Sequence, residues 1–274
     1  MLYLICTPIG NLNDFSFRSI NTLKEVDNIF VEDTRVSSKL LKYFDIKKNT
    51  LPFHEHNEKE TIDKIISLIR NRETVAILSD AGAPLISDPG YPLIQKCIKS
   101  AIPFTVIPGP SSVINSLLLS GLPTDKFLFG GFLPKKSAAK KEIAFKVKNS
   151  NVTNIFFESP KRLENTIKIF SDVLCPNTLI AICREMTKKH ESIYRGRLAE
   201  ILNLIEKNEI KLLGEFVLLL NASSSFNEEI KLDEEFCRPF LDYLSPAEAS
   251  KLIAKISNFS KKETYKFLLE ISKD

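Results

Sequence analysis

The sequence predicts an α/β protein: two α/β domains with mainly parallel or mixed sheets, followed by a small helical appendage at the C-terminal end. Short apolar runs alternate with amphipathic segments through most of the chain, which is typical of strands connected by helices. The segment 121–124 (Gly-Leu-Pro-Thr) interrupts this alternation and, because it is rich in turn-forming residues, predicts a domain boundary. From residue 234 onward only helical periodicity remains.

The first predicted domain spans residues 1–121. The apolar run at 74–78 contains no polar alternation, as expected for a parallel strand buried on both faces. Isoleucines recur at helical spacing between residues 62 and 69, which predicts an amphipathic helix. The same criteria predict strands at 2–6, 28–31, 74–78 and 104–107, and helices at 17–24, 34–44, 59–70, 91–100 and 111–120.

The second predicted domain spans residues 122–222 and repeats the pattern. The segment 191–196 lies outside the alternation and is predicted to add an antiparallel strand. The other predicted strands are 127–129, 154–157, 179–182 and 216–220, and the predicted helices are 138–147, 161–173 and 198–206.

Residues 223–274 are predicted to be a linker and a helical appendage. The stretch 221–233 is polar and rich in serine, as linkers often are. Ser245 and Ser260 are each followed by glutamate three residues later, the pattern of a capping box at a helix start. Two helices joined by a turn at 258–260 would resemble a helix-turn-helix; a packing cap or a dimerisation element is the alternative.

Composition limits the possible environments and ligands. The chain has 274 residues, of which 43% are hydrophobic and 26% charged, ordinary values for a globular protein. No apolar run approaches the roughly 20 residues that span a bilayer, so no membrane partner is expected. The five cysteines form no Cys-x-x-Cys pair, so neither disulfides nor a metal site is expected, and the predicted location is the cytoplasm.

Positive charge is clustered although the net charge is only +4. One cluster lies between Lys135 and Lys148, and a second lies between Lys188 and Arg197. Both could contact the phosphates of a nucleic acid, in which case binding should weaken steeply with salt. Solvated helix faces and strand ends are the alternative.

Three loops that follow predicted strands carry the chemistry. The loop 79–90 is long, rich in small residues and stiffened by prolines, and open α/β sheets bind ligands in loops of this kind. Asp80 supplies a carboxylate there that would suit an ammonium group or ribose hydroxyls. In the loop 108–112, Ser111 could cap a helix or face the same ligand. The loop 7–11 lacks the Gly-x-Gly-x-x-Gly pattern of dinucleotide-binding folds, and the chain has no Walker A motif.

Six motifs follow one another along the chain. They are Thr7-Pro8-Ile9-Gly10-Asn11-Leu12, Glu32-Asp33-Thr34-Arg35, the loop Ser79 to Gly90, Pro108-Gly109-Pro110-Ser111-Ser112, Ser120-Gly121-Leu122-Pro123 and Arg184-Glu185-Met186-Thr187-Lys188. Together they resemble the tetrapyrrole-methylase superfamily and, within it, the bacterial small-subunit (16S) ribosomal RNA cytidine-2′-O-methyltransferases. The resemblance runs in order from Leu2 to about Asn221, and the C-terminal helices share it.

The resemblance implies a tetrapyrrole-methylase fold, usually homodimeric, with S-adenosylmethionine bound between the two domains. It implies methylation of a decoding-region cytidine, either in ribosomal RNA or in the assembled small subunit. Carried over by position, the cofactor contacts would be Pro8, Ser79, Asp80, Ala81, Gly82, Leu85, Ile86, Ser111, Ser112, Phe157, Glu158, Met186, Gly214 and Glu215.

Methyl transfer to a ribose hydroxyl depends largely on alignment and exclusion of water, and a general base can assist. The candidate catalytic residues are Asp33, Arg35, Glu158 and Glu185, and further candidate carboxylates are Glu55 and Asp88. A cap or an ion pair is an equally good role for each carboxylate. Arg35 or Lys188 could orient a phosphate, and Asp33 with Arg35 is hypothesised to orient the RNA. Phe132 and Tyr91 are candidate stacking platforms for unpaired bases.

Two alternative functions remain open at the level of sequence. One is a non-catalytic RNA-binding protein that kept the fold, which would not bind the cofactor. The other is a methyltransferase of the same superfamily that acts on a tetrapyrrole or on a protein.

Overall fold

The computed structural model describes residues 1–222, 232–257 and 259–272. The chain divides into two compact units, Met1–Ser223 and Ser224–Asp274. Within the described ranges, none of the helices combines the length and apolar character that crossing a membrane requires.

A parallel five-stranded sheet forms the first part of the larger unit, in the order β3-β2-β4-β1-β5. All four residues of β4 are buried, so the uninterrupted apolar run correctly predicts a central strand. β3 is absent from the sequence prediction, because three residues ending in proline give little strand signal and proline is tolerated only at a sheet edge. The strands are β1 Leu2–Ile5, β2 Asn28–Val31, β3 Thr50–Pro52, β4 Val75–Leu78 and β5 Phe104–Ile107.

Five helices connect these strands, each starting and ending within two residues of its predicted position. Local capping explains several of the starts: Ser16 accepts a hydrogen bond from the Ser19 amide, and Asp33 accepts one from the Arg35 amide. The last helix ends at Gly121, whose φ of 71° is the left-handed conformation typical of a helix end. The helices are α1 Phe17–Glu25, α2 Thr34–Tyr43, α3 Glu58–Arg70, α4 Tyr91–Lys99 and α5 Ser112–Ser120.

A mixed five-stranded sheet follows, in the order β6-β7-β10-β8-β9. β6 runs parallel to β7, whereas β10 is antiparallel to β7 and β8. β9 pairs antiparallel with β8, which confirms the additional strand predicted at 191–196. The strands are β6 Phe127–Phe132, β7 Thr153–Glu158, β8 Leu179–Arg184, β9 Ser192–Arg197 and β10 Phe216–Asn221, and the helices are α6 Ser137–Lys148, α7 Pro160–Ser171 and α8 Leu198–Glu206.

Apolar side chains cover both faces of the mixed sheet, in two separate clusters. Helices α6, α7 and α8 cover one face, in a cluster that includes Phe156 and Leu218. The other face packs against Val113 and Leu117 of α5, in a cluster that also contains Ile9. Helix α5, which follows the last strand of the parallel sheet, therefore covers one face of the mixed sheet. The boundary predicted at 121/122 lies directly after this helix and stays a prediction.

The described residues of the smaller unit form three helices, α9 Glu234–Leu241, α10 Pro246–Ile256 and α11 Lys261–Ile271. The capping boxes predicted at Ser245 and Ser260 are both present. A small core of four buried residues holds the helices together: Cys237, Ala249, Ile253 and Leu268. Of the predicted linker, Asn221 instead ends β10, and residues 223–231 lie outside the described residues, as does Asn258 of the predicted turn.

Candidate active site

Three loops meet at the carboxyl end of the parallel sheet. They follow β1, β4 and β5, which are neighbours in the sheet. The Thr7 amide donates to the Gly82 carbonyl at 2.8 Å, and the Gly82 amide donates back to the Thr7 carbonyl at 3.1 Å. The Thr7 hydroxyl also donates to the Ser79 carbonyl at 3.2 Å. These bonds fasten the loop that contains Pro8 to the loop 79–90.

Glycines let these loops approach each other more closely than side chains would allow. A Cβ on Gly109 would lie 2.9 Å from the Cβ of Cys6. Gly82 has a φ of +81°, and a Cβ there would lie 3.3 Å from Cγ2 of Ile9. The three loops therefore form a cradle of closely packed backbone and small side chains at this end of the sheet.

The loop 79–90 has an unusual backbone. Leu85 and Ser87 have positive φ angles of 71° and 67°, which cost non-glycine residues energy and often mark functional segments. The Gly90 amide donates to Glu58 Oε1 at 2.8 Å, which holds the far end of the loop. Leu85 packs against the apolar core of the first part of the unit, whereas Ile86 is exposed.

Ser111 precedes α5, but its side chain makes no capping hydrogen bond. The Ser111 side chain therefore does not cap α5, which was one of the two roles considered for it. Its hydroxyl and that of Ser112 are half-buried at the start of the helix, beside a loop whose Pro110 carbonyl lies 3.8 Å from the Cβ position of Gly82. The predicted cofactor residues of the first domain are thus brought together.

Predicted cofactor residues of the second domain reach the same place through the loop 7–11. Phe157 and Met186 belong to the apolar cluster that contains Ile9. The Asn11 amide donates to the Thr187 hydroxyl at 3.1 Å. The sequence gives no signal for this last contact, because the two residues are 176 positions apart.

An ionic cluster fixes the neighbouring turn. Glu185 accepts a hydrogen bond from the Glu215 amide at 2.9 Å, and Lys188 pairs with both Glu185 and Glu215. Burial tends to raise the pKa of Glu185, but the Glu215 amide and Lys188 outweigh it, so the pKa is lowered. Gly214, with a φ of +93°, lies against the Glu185 carboxyl group, and the Lys188 chain lies over Gly10. Glu185 and Lys188 therefore hold a turn against the loop 7–11.

Asp33 and Arg35 form a pair at the start of α2. The guanidinium of Arg35 donates to both carboxylate oxygens of Asp33, at 2.6 Å for the shortest contact. Hydrogen bonds from the Arg35 side chain and then from its amide lower the pKa of Asp33 to about 2. The Asp33 amide donates to Asp80 at 3.1 Å, so the pair borders the loop 79–90. A carboxylate with so low a pKa is a weak base.

Glu158 lies in a buried ionic network. One carboxylate oxygen accepts from Lys140 at 2.9 Å and from Thr166 at 2.6 Å; the other pairs with Arg162 at 2.7 Å and accepts from the Ser159 amide. The Glu158 side chain is completely buried and that of Lys140 is 1% exposed. These contacts give Glu158 a structural role at the end of β7.

The predicted basic surface has to be corrected at Lys140, which is buried. Its ammonium group is buried against Glu158 and Thr166, so it contributes nothing to a phosphate-binding face. Lys135, Lys136 and Lys141, by contrast, are exposed. A basic run in the sequence gives no sign of which lysine faces inward.

Two carboxyl groups within the loop 79–90 have raised pKa values. Burial raises the pKa of Asp80. Burial, assisted by the negative charge of Glu32, raises the pKa of Asp88 to about 7, although a hydrogen bond with Ser79 opposes this. A carboxyl group with a pKa near neutrality is suited to accept a proton at physiological pH. Of the other candidate carboxylates, Glu55 lies in a short 3₁₀ turn, Glu55–Asn57.

Changing Asp88 to asparagine is expected to stabilise the larger unit at high pH. In the folded chain the pKa is raised from 3.8 to about 7, so the stability linked to protonated Asp88 is complete below about pH 4 and is lost as the pH rises through 7. Asp88→Asn should therefore be more stable than the parent at pH 8. The full shift corresponds to about 4 kcal/mol, which the partial solvent exposure of the group reduces to about 2 kcal/mol, and little difference is expected near pH 4. Urea unfolding at both pH values measures this. Asp45→Asn, at a side chain 80% exposed, is the control; equal urea-unfolding curves for the two variants would contradict the expectation.

The comparisons with known proteins agree with the fold. The family model described as tetrapyrrole (corrin/porphyrin) methylases matches residues 1–202. Among solved structures, diphthine synthase superposes with a TM-score of 0.63 at 12% identity, covering 82% of this chain and 96% of that chain. Uroporphyrin-III C-methyltransferase from Thermus thermophilus superposes with a TM-score of 0.55 at 18% identity, covering 83% and 97%. The predicted fold class is confirmed.

Curated relatives are more similar in sequence. Ribosomal RNA small subunit methyltransferase I of Vibrio cholerae is 38% identical over 273 residues, covering 98% of this chain and 94% of that protein. The protein of the same name from Halalkalibacterium halodurans is 46% identical over 224 residues, covering 81% and 76%. Both the family model and these relatives span most of the sequence, and the chain therefore belongs to the tetrapyrrole (corrin/porphyrin) methylase family.

Proposed function

We propose that this chain transfers a methyl group from S-adenosylmethionine to the 2′-hydroxyl of a decoding-region cytidine in small-subunit ribosomal RNA. The observation that carries the proposal is the set of relatives, 34% to 46% identical, that share the name ribosomal RNA small subunit methyltransferase I. Similarity to tetrapyrrole enzymes and to diphthine synthase, at 12% to 18% identity, supports only the fold.

The cofactor is assigned to the cradle formed by the three loops. S-Adenosylmethionine supplies a methyl group that its positively charged sulfonium already activates. The close approach of Thr7 and Gly82, the hydroxyls of Ser111 and Ser112, and the half-buried Asp80 carboxylate fit its polar parts. Phe157 and Met186, in the apolar cluster beside Ile9, fit its apolar parts. Gly214 and Glu215 are also assigned to the cofactor site.

The contribution of the protein to the reaction is alignment. Apolar side chains around Phe157 and Met186 exclude water, and the fastened loops fix the position of the acceptor hydroxyl relative to the methyl group. Positioning of this kind can supply a large share of a rate enhancement. Asp33 and Glu185 have lowered pKa values and Glu158 is engaged with Lys140 and Arg162. Asp88 is the carboxyl group whose pKa suits proton acceptance.

Methyl-label transfer tests the function directly. Radiolabelled S-adenosylmethionine is mixed with the protein and with small subunits that lack the modification, naked ribosomal RNA, tetrapyrrole precursors or bulk protein. We expect label in the RNA of the small subunit and, after digestion, in one 2′-O-methylated cytidine. Label in a tetrapyrrole or in protein, or no label with any acceptor, would refute the proposal.

Arg35 is proposed to contact the RNA. Its side chain is 87% exposed, while Asp33 fixes its direction, and it borders the loop 79–90 through Asp80. Arg35→Ala should weaken RNA binding about tenfold, the equivalent of about 1.4 kcal/mol, and Asp33→Ala should weaken it less, because the arginine remains. Nitrocellulose filter binding measures both.

Arg70→Ala is the matched control for Arg35→Ala, because Arg70 is exposed at the end of α3, on the amino side of the sheet. It should bind RNA like the parent. If Asp33→Ala and Arg35→Ala methylate at the parental rate with parental RNA affinity, the role proposed for this pair is wrong.

The exposed lysines extend the proposed RNA surface. Lys135, Lys136 and Lys141 are exposed near the end of β6 and on α6, and Lys189 follows the turn that Glu185 holds. Neutralising phosphates releases counterions, so the RNA affinity should fall steeply with salt.

A cytoplasmic homodimer is part of the proposal. Large apolar side chains are exposed on the edge strand β5 and on the helices before and after it: Ile98, Val106, Ile114 and Leu118. Exposed apolar patches mark protein–protein contacts, and an exposed edge strand can pair with another chain. A second copy of this chain is the partner proposed here. Sedimentation velocity measures the assembly state.

A further inference from the structure

Phe132, the last residue of β6, is an exposed aromatic side chain held in a defined orientation. Its ring is 62% exposed, yet it packs edge-on against Phe157, with ring centroids 5.2 Å apart. Phe157 in turn packs against Phe129 at 4.9 Å. The Leu133 amide donates to the Phe157 carbonyl at 3.0 Å and fixes the backbone beside the ring. The Phe132 ring is thus exposed to solvent while its packing against Phe157 fixes its position.

Two glycines produce this orientation. Phe129 pairs with Ile155 and Phe132 pairs with Phe157, so three steps along β6 match two along β7. This bulge places Phe132 on the same face of the sheet as Phe129, which strict alternation would not do. Gly131 has a φ of +67°, and a Cβ on Gly130 would overlap the ring of Phe156. A side chain at Gly130 would clash with Phe156, and the positive φ at Gly131 favours glycine there.

Phe132 directly follows a glycine that lies near the loop 79–90, and exposed basic residues come soon after it in the sequence. The Cβ position of Gly131 is 3.8 Å from the hydroxyl of Ser87, in the loop 79–90. Lys135 and Lys136, which follow Phe132 in the sequence, are exposed. An aromatic platform beside lysines is the combination that binds single-stranded nucleic acid, because bases stack on the ring and phosphates pair with the cations.

The geometry points to Phe132 as the stacking platform for the unpaired base of the nucleotide that receives the methyl group. This inference rests on the proposed function and specifies how that site selects and holds its substrate. A phenyl ring carries no hydrogen-bonding group, so it positions the base without identifying it. The lysines that follow hold the adjoining phosphates. Phe132 is a positioning residue for the reaction and takes no part in proton or methyl transfer.

Replacing the ring tests the inference. Phe132→Ala should raise the KM for the small subunit tenfold to about a hundredfold, the range expected when one stacked base is lost. Phe132→Tyr keeps the ring and should restore the KM to near the parental value. The dissociation constant for S-adenosylmethionine should be unchanged in both variants. Phe145→Ala removes another exposed phenyl ring, 49% exposed on α6, and should leave the KM for RNA unchanged.

A fluorescent base gives a readout that a general structural defect would not produce. Pyrrolocytidine at the target position of a decoding-region RNA should be quenched on binding by the parent protein and by Phe132→Tyr, because stacking quenches it. With Phe132→Ala, at saturating protein, the quenching should be lost.

Three results would overturn the inference. They are a parental KM and parental quenching with Phe132→Ala, a loss of cofactor affinity in that variant, and dissociation of an assembled oligomer by that variant. Each leaves the proposed function intact as long as the parent protein labels RNA. Absence of RNA labelling by the parent would instead refute the proposed function itself.

Discussion

Replacing Lys140 with methionine is expected to lower the free energy of unfolding of the larger unit by about 3 to 5 kcal/mol. Removing one partner of a buried ion pair leaves the other charge without compensation, and costs of this size follow. Glu158 would keep Arg162 and the Ser159 amide on one oxygen, but its second oxygen would lose the ammonium group. For a unit of this size the loss corresponds to a decrease in Tm on the order of 10 °C. Thermal and urea unfolding measure both quantities.

The neighbouring residue provides the control. Lys141 lies on the same helix and is exposed, so Lys141→Met should change the stability by less than about 0.5 kcal/mol. A second variant tests the cause: adding Glu158→Leu to Lys140→Met removes the uncompensated charge and should recover much of the loss. A Lys140→Met protein as stable as Lys141→Met, or a double variant less stable than Lys140→Met, would contradict the explanation.

Replacing Gly82 with alanine is expected to weaken the binding of S-adenosylmethionine about tenfold or more. The φ of +81° at this residue costs an alanine roughly 1 to 2 kcal/mol. The new Cβ would also lie 3.3 Å from Cγ2 of Ile9. Relief of either strain moves the loop away from Thr7, whose backbone pairs with Gly82. Isothermal titration with the cofactor measures the effect.

Gly121→Ala isolates the contribution of the binding loop. Gly121 also has a positive φ, of +71°, but its nearest neighbour outside the adjoining chain is Cδ of Arg195, 4.0 Å from the Cβ position. This variant should lose similar stability and keep the parental cofactor affinity. If the two variants bind the cofactor equally well, Gly82 does not shape the binding site.

Apolar patterning predicted the parts of the fold that burial dictates. β4 is a continuous apolar run buried along its whole length, and the helical spacing of the isoleucines in α3 matches its buried face. The meeting of the loops after β1, β4 and β5 was predictable because parallel strands end at the same edge of a sheet.

Features that depend on distant partners could not be predicted in this way. Lys140 looked like one lysine in a basic run, and its partner Glu158 is 18 positions away on another element. The bulge at Gly130 and Gly131 depends on the ring of Phe156 in the neighbouring strand. Ser111 has the sequence of a cap, yet its side chain does not cap α5, because local preference permits this bond without requiring it.

Helix α5 limits how the chain can be divided or recombined. Its residues Val113 and Leu117 cover apolar side chains of the mixed sheet, among them Val217 and Leu219. If the chain were cut after residue 121, this helix would be separated from the mixed sheet. Each fragment would then expose an apolar surface, so both should aggregate when expressed alone. In evolution, the two halves therefore cannot be exchanged as independent modules; a replacement for either one must bring along a helix face that fits the other.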